Sequence, residues 1–184
     1  MATSKSVHWP VCERCAEGGG IGVRLPNGGD CWAHAQEQDL DAALQQLGED
    51  GRLDARSVTI TAVLLQRLLT AASHDDTGHA ILTDARFYWA TFQGEARFDE
   101  ATFQGDTRFT GATFQGDAWF QGVTFQGKVS FDEATFQGAA QFGMGSTYDH
   151  PGSAVRRYTG VVAALILQVS VAGMVGSGPT SSEV

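Results

Sequence analysis

Three cysteines and one histidine near the N-terminus carry the spacing of a metal site: Cys12 and Cys15 form a C-x-x-C pair, Cys31 and His34 a C-x-x-H pair. Thiolate and imidazole are the ligands that tetrahedral zinc takes, and two ligands separated by two residues share one tight knuckle that faces a single ion. Between the pairs lies a Gly-rich stretch, Gly18 to Asp30, which lets the chain turn back without a core of its own. The expectation is a structural Zn2+ held by Cys12, Cys15, Cys31 and His34. Four protein ligands close the coordination sphere, so a catalytic zinc with an open position is not expected. Cys12 as a nucleophile has no paired histidine and carboxylate in its neighbourhood, and the glycine cluster has neither a preceding strand nor a GKS or GKT to make a phosphate loop. His74, Asp75, Asp76 and His79 could also ligate a metal, but they sit in a polar link and read as a solvated turn.

What must position these groups is set by the rest of the chain, above all by Ala80 to Phe142. All eleven phenylalanines fall there, at 87, 92, 98, 103, 109, 114, 120, 125, 131, 136 and 142, with spacings that alternate five and six. That period throws successive rings to opposite sides of a helix, so no buried helical stripe results. Two residues before Leu82 and before each Phe stands a small or β-branched residue: Ala80, Ala85, Ala90, Ala96, Ala101, Thr107, Ala112, Ala118, Val123, Val129, Ala134 and Ala140. In extended backbone, positions two apart share a face, so each unit turns one large and one small group inward. The sixth residue of the longer steps, Glu95, Asp106, Asp117, Lys128 or Ala139, reads as an extra residue bulging at alternate corners. Such self-similarity is the mark of a solenoid.

The units, for example Ala90, Thr91, Phe92, Gln93 and Gly94, resemble the pentapeptide repeat family over residues 80–142. The resemblance implies an all-β fold: a right-handed quadrilateral β-helix with one unit per side. The alternating step predicts 22 residues per coil, about three coils, and a height of roughly 14 Å at the ~4.8 Å strand spacing. Thr91, Thr113 and Thr135 should align, as should Gln93, Gln115 and Gln137, and the phenylalanines should stack in four columns. The N-terminal part, residues 1–35, resembles a small zinc knuckle.

Residues 36–79 read as a helical cap. One helix is expected from about Gln36 to Leu47, with Leu40, Ala43, Leu44 and Leu47 on one face and Gly48 as its stop. A second is expected from about Thr61 to Ala72, with Thr61 as N-cap and Leu64, Leu65, Leu68 and Leu69 as an apolar stripe. A solenoid needs such caps over its open ends. Residues 143–157 read as a linker. Within 158–184, the uncharged run 159–176 is at the short limit for spanning a bilayer, with Arg156 and Arg157 before it.

A formal net charge of −9 argues against nucleic acid as a partner. The N-terminus has no apolar run of a secretory signal, so a cytoplasmic location with reduced thiols is expected. These features point to a non-catalytic scaffold that offers flat faces to a protein partner of unknown identity, with self-association left open. The alternative is a membrane-tethered cytoplasmic module anchored by 159–176. Imitation of a DNA duplex towards a topoisomerase, an activity associated with the family, fits less well because Arg86, Arg97, Arg108 and Lys128 interrupt the acidic surface.

Overall fold

The computed structural model describes residues 7–72 and 77–142, together with the backbone of 147–148. The phenylalanine period folds as expected, into a four-sided solenoid of short parallel strands. The first side holds β1 (Arg52–Asp54), β4 (Asp84–Arg86), β8 (Thr107–Arg108) and β12 (Val129–Ser130). On the second lie β2 (Thr59–Thr61), β5 (Thr91–Gln93), β9 (Thr113–Phe114) and β13 (Thr135–Phe136). The third holds β6 (Ala96–Arg97), β10 (Ala118–Trp119) and β14 (Ala140–Gln141). The fourth holds β3 (Ile81–Leu82), β7 (Thr102–Phe103), β11 (Thr124–Phe125) and β15 (Thr147–Tyr148). Three helices precede or interrupt the strands: α1 (Glu13–Glu17), α2 (Glu37–Asp50) and α3 (Ala62–Ala71).

Register follows the 22-residue step, as in Thr91↔Thr113 and Thr113↔Thr135. All eleven phenylalanines and all twelve small partners are buried. The rings stack in columns, with near-parallel pairs such as Phe87 on Phe109 at 4.9 Å, Phe98 on Phe120 at 5.1 Å and Phe103 on Phe125 at 5.0 Å. Neighbouring columns meet edge to face, the other favoured arrangement of aromatic quadrupoles, as between Phe109 and Phe120.

Along the parallel ladders the bonding direction alternates from residue to residue: the inward Ala85 and Ala96 donate their amides to Asp106 O and Asp117 O of the later coil, and the outward Thr113 donates to Ala90 O of the earlier one. The first strand of each side therefore leaves amides and carbonyls of its outward residues facing the N-terminal end, all needing partners. Trp32 Nε1 donates to Asp54 O at 2.8 Å and Val23 N to Arg56 O at 2.9 Å, so the cysteine-rich segment stands in for a missing coil. On the fourth side, Ile81 N donates to Ala72 O and Thr83 N to Gly51 O, carbonyls from the C-terminal ends of α3 and α2, which a helix leaves unpaired.

Three expectations need correction. Gly48 does not stop the first helix: α2 runs on to Asp50 and ends at Gly51, whose φ of 68° suits the left-handed C-cap. Gly48 is instead a contact glycine, since a Cβ there would lie 3.0 Å from Ala71 O of α3. The second helix behaves as expected, with Thr61 Oγ1 accepting from Leu64 N and with Leu64, Leu65 and Leu68 buried. The strand ladders begin before residue 80, because β1 and β2 pair with β4 and β5 and form a first coil in which α3 takes the place of the third-side strand. The ladders also continue past Phe142, where β15 pairs with β11 in the register Phe125↔Tyr148. Apart from that strand, the linker 143–157 and the segment 158–184 lie outside the described residues; among those described, no helix is long and apolar enough to cross a membrane.

The extra corner residue has a purpose beyond bulging. Asp106 Oδ1 accepts Lys128 N at 3.2 Å and Asp117 Oδ1 accepts Ala139 N at 2.8 Å, so an aspartate at one corner holds the corner one coil later. Lys128 thus meets Asp106 through its backbone amide. That bond, followed by the Arg108 guanidinium, lowers the Asp106 carboxyl below its ordinary value. A carboxyl depressed in the folded state stabilises it above the unfolded-state pKa and loses that contribution as pH falls through the folded value. The thermal midpoint of Asp106→Asn should thus lie below wild type at pH 7, and the gap should close as pH drops beneath the ordinary carboxylate range. A gap that persists unchanged into strong acid would show that the carboxylate charge is irrelevant there.

Candidate metal centre

Local hydrogen bonding folds the cysteine-rich segment into a compact unit. Cys12 N donates to Gly22 O and Arg24 N to Pro10 O, closing an antiparallel bridge between Val11 and Val23. Cys12 caps the short α1, its Sγ accepting from Cys15 N at 3.5 Å, which is the knuckle the C-x-x-C spacing anticipates. A second turn, with His34 N and Ala35 N both on Cys31 O, sets Cys31 and His34 on the same side.

The four expected ligands are brought together, and their sulfur and nitrogen atoms all lie within 4.8 Å of one another. His34 Nδ1 is 3.5 Å from Cys12 Sγ, 3.4 Å from Cys15 Sγ and 3.5 Å from Cys31 Sγ, while Cys15 and Cys31 sulfurs are 3.7 Å apart. None of the three cysteines is in a disulfide. Cys12 and Cys31 are fully buried. Burial acts to raise the Cys12 thiol, but bonds from the Cys15 amide and His34 outweigh it and hold the group below its usual value. Burial, then the charge of Cys31, pushes Cys15 up to about 12, and burial raises Cys31 as well. Three thiolates packed this closely repel one another, and a cation among them reverses that balance, since a metal deprotonates its thiol ligands. Of the second histidine set, only His79 is described; it pairs with Glu100, away from the cluster.

Several residues of the centre were not anticipated from the sequence. Asp30 sits behind it, with Oδ1 3.6 Å from Cys12 Sγ and Oδ2 3.4 Å from Arg14 Nε. Gly22 is a packing requirement and not a flexible connector, because a Cβ there would stand 2.8 Å from Cys15 Sγ and 3.1 Å from Ser57 O. Its absent side chain lets the cysteine-rich unit lie on the first solenoid corner. Nothing in the spacing of the glycines singles out Gly22; only the closed loop does.

Compared with known families, the model described as pentapeptide repeats (9 copies) matches residues 87–135 and 109–144. The chain carries a pentapeptide-repeat domain. Within it, the Gln-Gly pairs of the repeat acquire a physical reason. A Cβ on Gly116 would lie 2.4 Å from Gly94 O, and one on Gly127 2.4 Å from Gly105 C, so stacked corners approach backbone to backbone. Neither the curated proteins nor the solved structures contain a match to the chain. The Cys3His unit that seals the pentapeptide-repeat domain lies upstream of the matched residues.

Proposed function

We propose that the protein is a non-catalytic interaction scaffold, a pentapeptide-repeat solenoid whose N-terminal cap is locked by one structural zinc ion on Cys12, Cys15 and Cys31 Sγ and His34 Nδ1. The observation that carries the zinc reading is the shape of the ligand cluster. With Zn–S of about 2.3 Å and Zn–N of about 2.0–2.1 Å, a regular tetrahedron has S···S edges of roughly 3.8 Å and S···N edges of roughly 3.6 Å. In the cluster the three S···N edges are 3.4–3.5 Å, the Cys15–Cys31 S···S edge is 3.7 Å, and all four ligand atoms lie within 4.8 Å of one another. Four protein ligands leave no position for a substrate, which supports a structural role.

The scaffold reading rests on the solenoid sides. The outward residues of the second side are Thr59, Thr91, Thr113 and Thr135 with Thr61, Gln93, Gln115 and Gln137, a flat uncharged face suited to a protein partner. Thiol ligands favour a reducing compartment, which supports a cytoplasmic location. The uncharged run 159–176 supports a second reading, a membrane tether, separable by fractionating full-length protein and a chain ending at residue 157. DNA imitation is disfavoured by the first side, where Arg86 and Arg108 pair with Asp84 and Asp106.

Purified protein is expected to carry about one zinc per chain by elemental analysis, and Cys31→Ser to lose most of it. Zinc well below one equivalent, or metal content unaltered by Cys31→Ser, would remove the site.

A further inference from the structure

Strain and exposure coincide at one corner of the solenoid. In the short corners, the amide three residues after a Phe closes back on the Phe carbonyl, as Ala90 N does on Phe87 O, and the residue just before that amide is left-handed. Down one column of corners these residues are Trp89, Gly111 and Glu133, with φ of 55°, 67° and 58°. A bulky residue is the least suited to that conformation, and strain of this kind gathers at functional positions. Burial does not compensate it: among the described residues, Val63 and Trp89 are the large hydrophobic side chains left exposed, Trp89 by 37%. The indole has been given room, since a Cβ on Gly111 would fall 2.3 Å from Trp89 Cδ1.

Other groups gather around it. Trp9, fixed by its Nε1 bond to Ile21 O at 2.8 Å, stacks on Trp89 with ring centroids 5.9 Å apart. The Arg56 guanidinium lies 4.5 Å above the Trp9 ring. These rings edge a cavity of about 560 Å³ whose other walls include Thr83, Asp84, Arg86, Asp106 and Arg108. Arg86 gives Nη2 to Asp84, while Arg108 gives Nη2 to Asp106 and Nη1 to Tyr88 Oη. The remaining N–H groups of Arg86, and Nε of Arg108, have no acceptor among the described residues. The carboxylates orient the guanidinium groups without exhausting them.

We infer that this corner binds a planar aromatic anion of mononucleotide size, its ring stacked beside Trp89 and Trp9 and its anionic group on Arg86 and Arg108. An aromatic shelf accepts any base through its π face, and a guanidinium fork accepts phosphate or carboxylate through paired N–H bonds. With Asp54 behind Arg56, carboxylates equal guanidinium groups here, so directed donors and not net charge provide the affinity. Trp89, Arg86 and Arg108 belong to the solenoid, while Trp9 is held to Ile21 O within the cysteine-rich segment, so that part of the aromatic wall rests on the segment's fold.

Calorimetric titration of the full chain with adenosine 5′-monophosphate tests it, with adenosine and inorganic phosphate as separate arms. Saturable binding of the nucleotide is expected, with each half-ligand at least about tenfold weaker. Trp89→Ala and Arg86→Gln should each weaken the nucleotide by about tenfold or more, and Trp89→Phe, which keeps a ring, by less. The inference fails if the nucleotide does not saturate the protein, if phosphate alone matches it, or if Arg86→Gln and Trp89→Phe both leave a folded protein with unaltered affinity and Trp89→Ala does too.

Discussion

Phe114→Ala is expected to destabilise the protein by about 3 to 5 kcal/mol, the cost of truncating a fully enclosed aromatic ring. Phe114 lies between Phe92 and Phe136, both at 4.6 Å and nearly parallel, and meets Phe120 edge on. Its removal opens a gap in the middle of a column whose neighbours are fixed by two coils and cannot close in. The adjacent Gln115 is exposed, and Gln115→Ala should stay within about 1 kcal/mol. Equal losses at the two positions in a denaturant titration would contradict the inward assignment of the phenylalanines.

The second large effect is expected from a single methyl group. Gly116→Ala would drive a Cβ to 2.4 Å from Gly94 O and 2.5 Å from Gly94 C, atoms of a backbone itself stacked in the ladder. No side-chain rotation relieves the clash, so the two coils must separate at that corner. A loss of about 3 kcal/mol is expected, at the upper end for overpacking. Gly28→Ala is the control: its new Cβ would meet Asp30 N at 3.9 Å, an ordinary contact, and should cost about 0.5 kcal/mol or less. If Gly116→Ala is as mild as Gly28→Ala, the corners are not packed backbone on backbone.

The contrast between these glycines shows where sequence reasoning ends. The phenylalanine period and its small partners could be read directly, because interior positions of a solenoid repeat whatever the corners do. Gly116 recurs within that pattern, yet its necessity appears only once coils are stacked. The first coil escaped notice for a different reason. In register Leu53 and Ala55 take the places of Ala85 and Phe87, and Val58 and Ile60 those of Ala90 and Phe92, so the five-residue step is kept; but Leu53 stands where the repeat has a small residue, Ala55 where it has Phe, and α3 follows in place of the next unit. Gly48 was misread because a helix tolerates glycine where another helix must come close. At the Cys3His cluster, residue types and spacing sufficed to anticipate that Cys12, Cys15, Cys31 and His34 come together. Asp30, Gly22 and Trp32, which back the site and join it to the solenoid, carry no spacing pattern, since their roles arise from how one loop lies on another.

That junction is the centre of the proposal: a metal-locked segment donates to the bare carbonyls of the first side in place of a preceding coil. Hydrogen exchange on the full chain, with and without a zinc chelator, measures it directly. On metal removal, Val23 N and Trp32 Nε1, which hold Arg56 O and Asp54 O, should exchange at least about tenfold faster, while Phe109 N and Thr113 N in the middle coils keep their protection. Unaltered exchange at Val23 and Trp32 after the metal is gone, or equal loss of protection throughout the solenoid, would contradict a metal-locked cap.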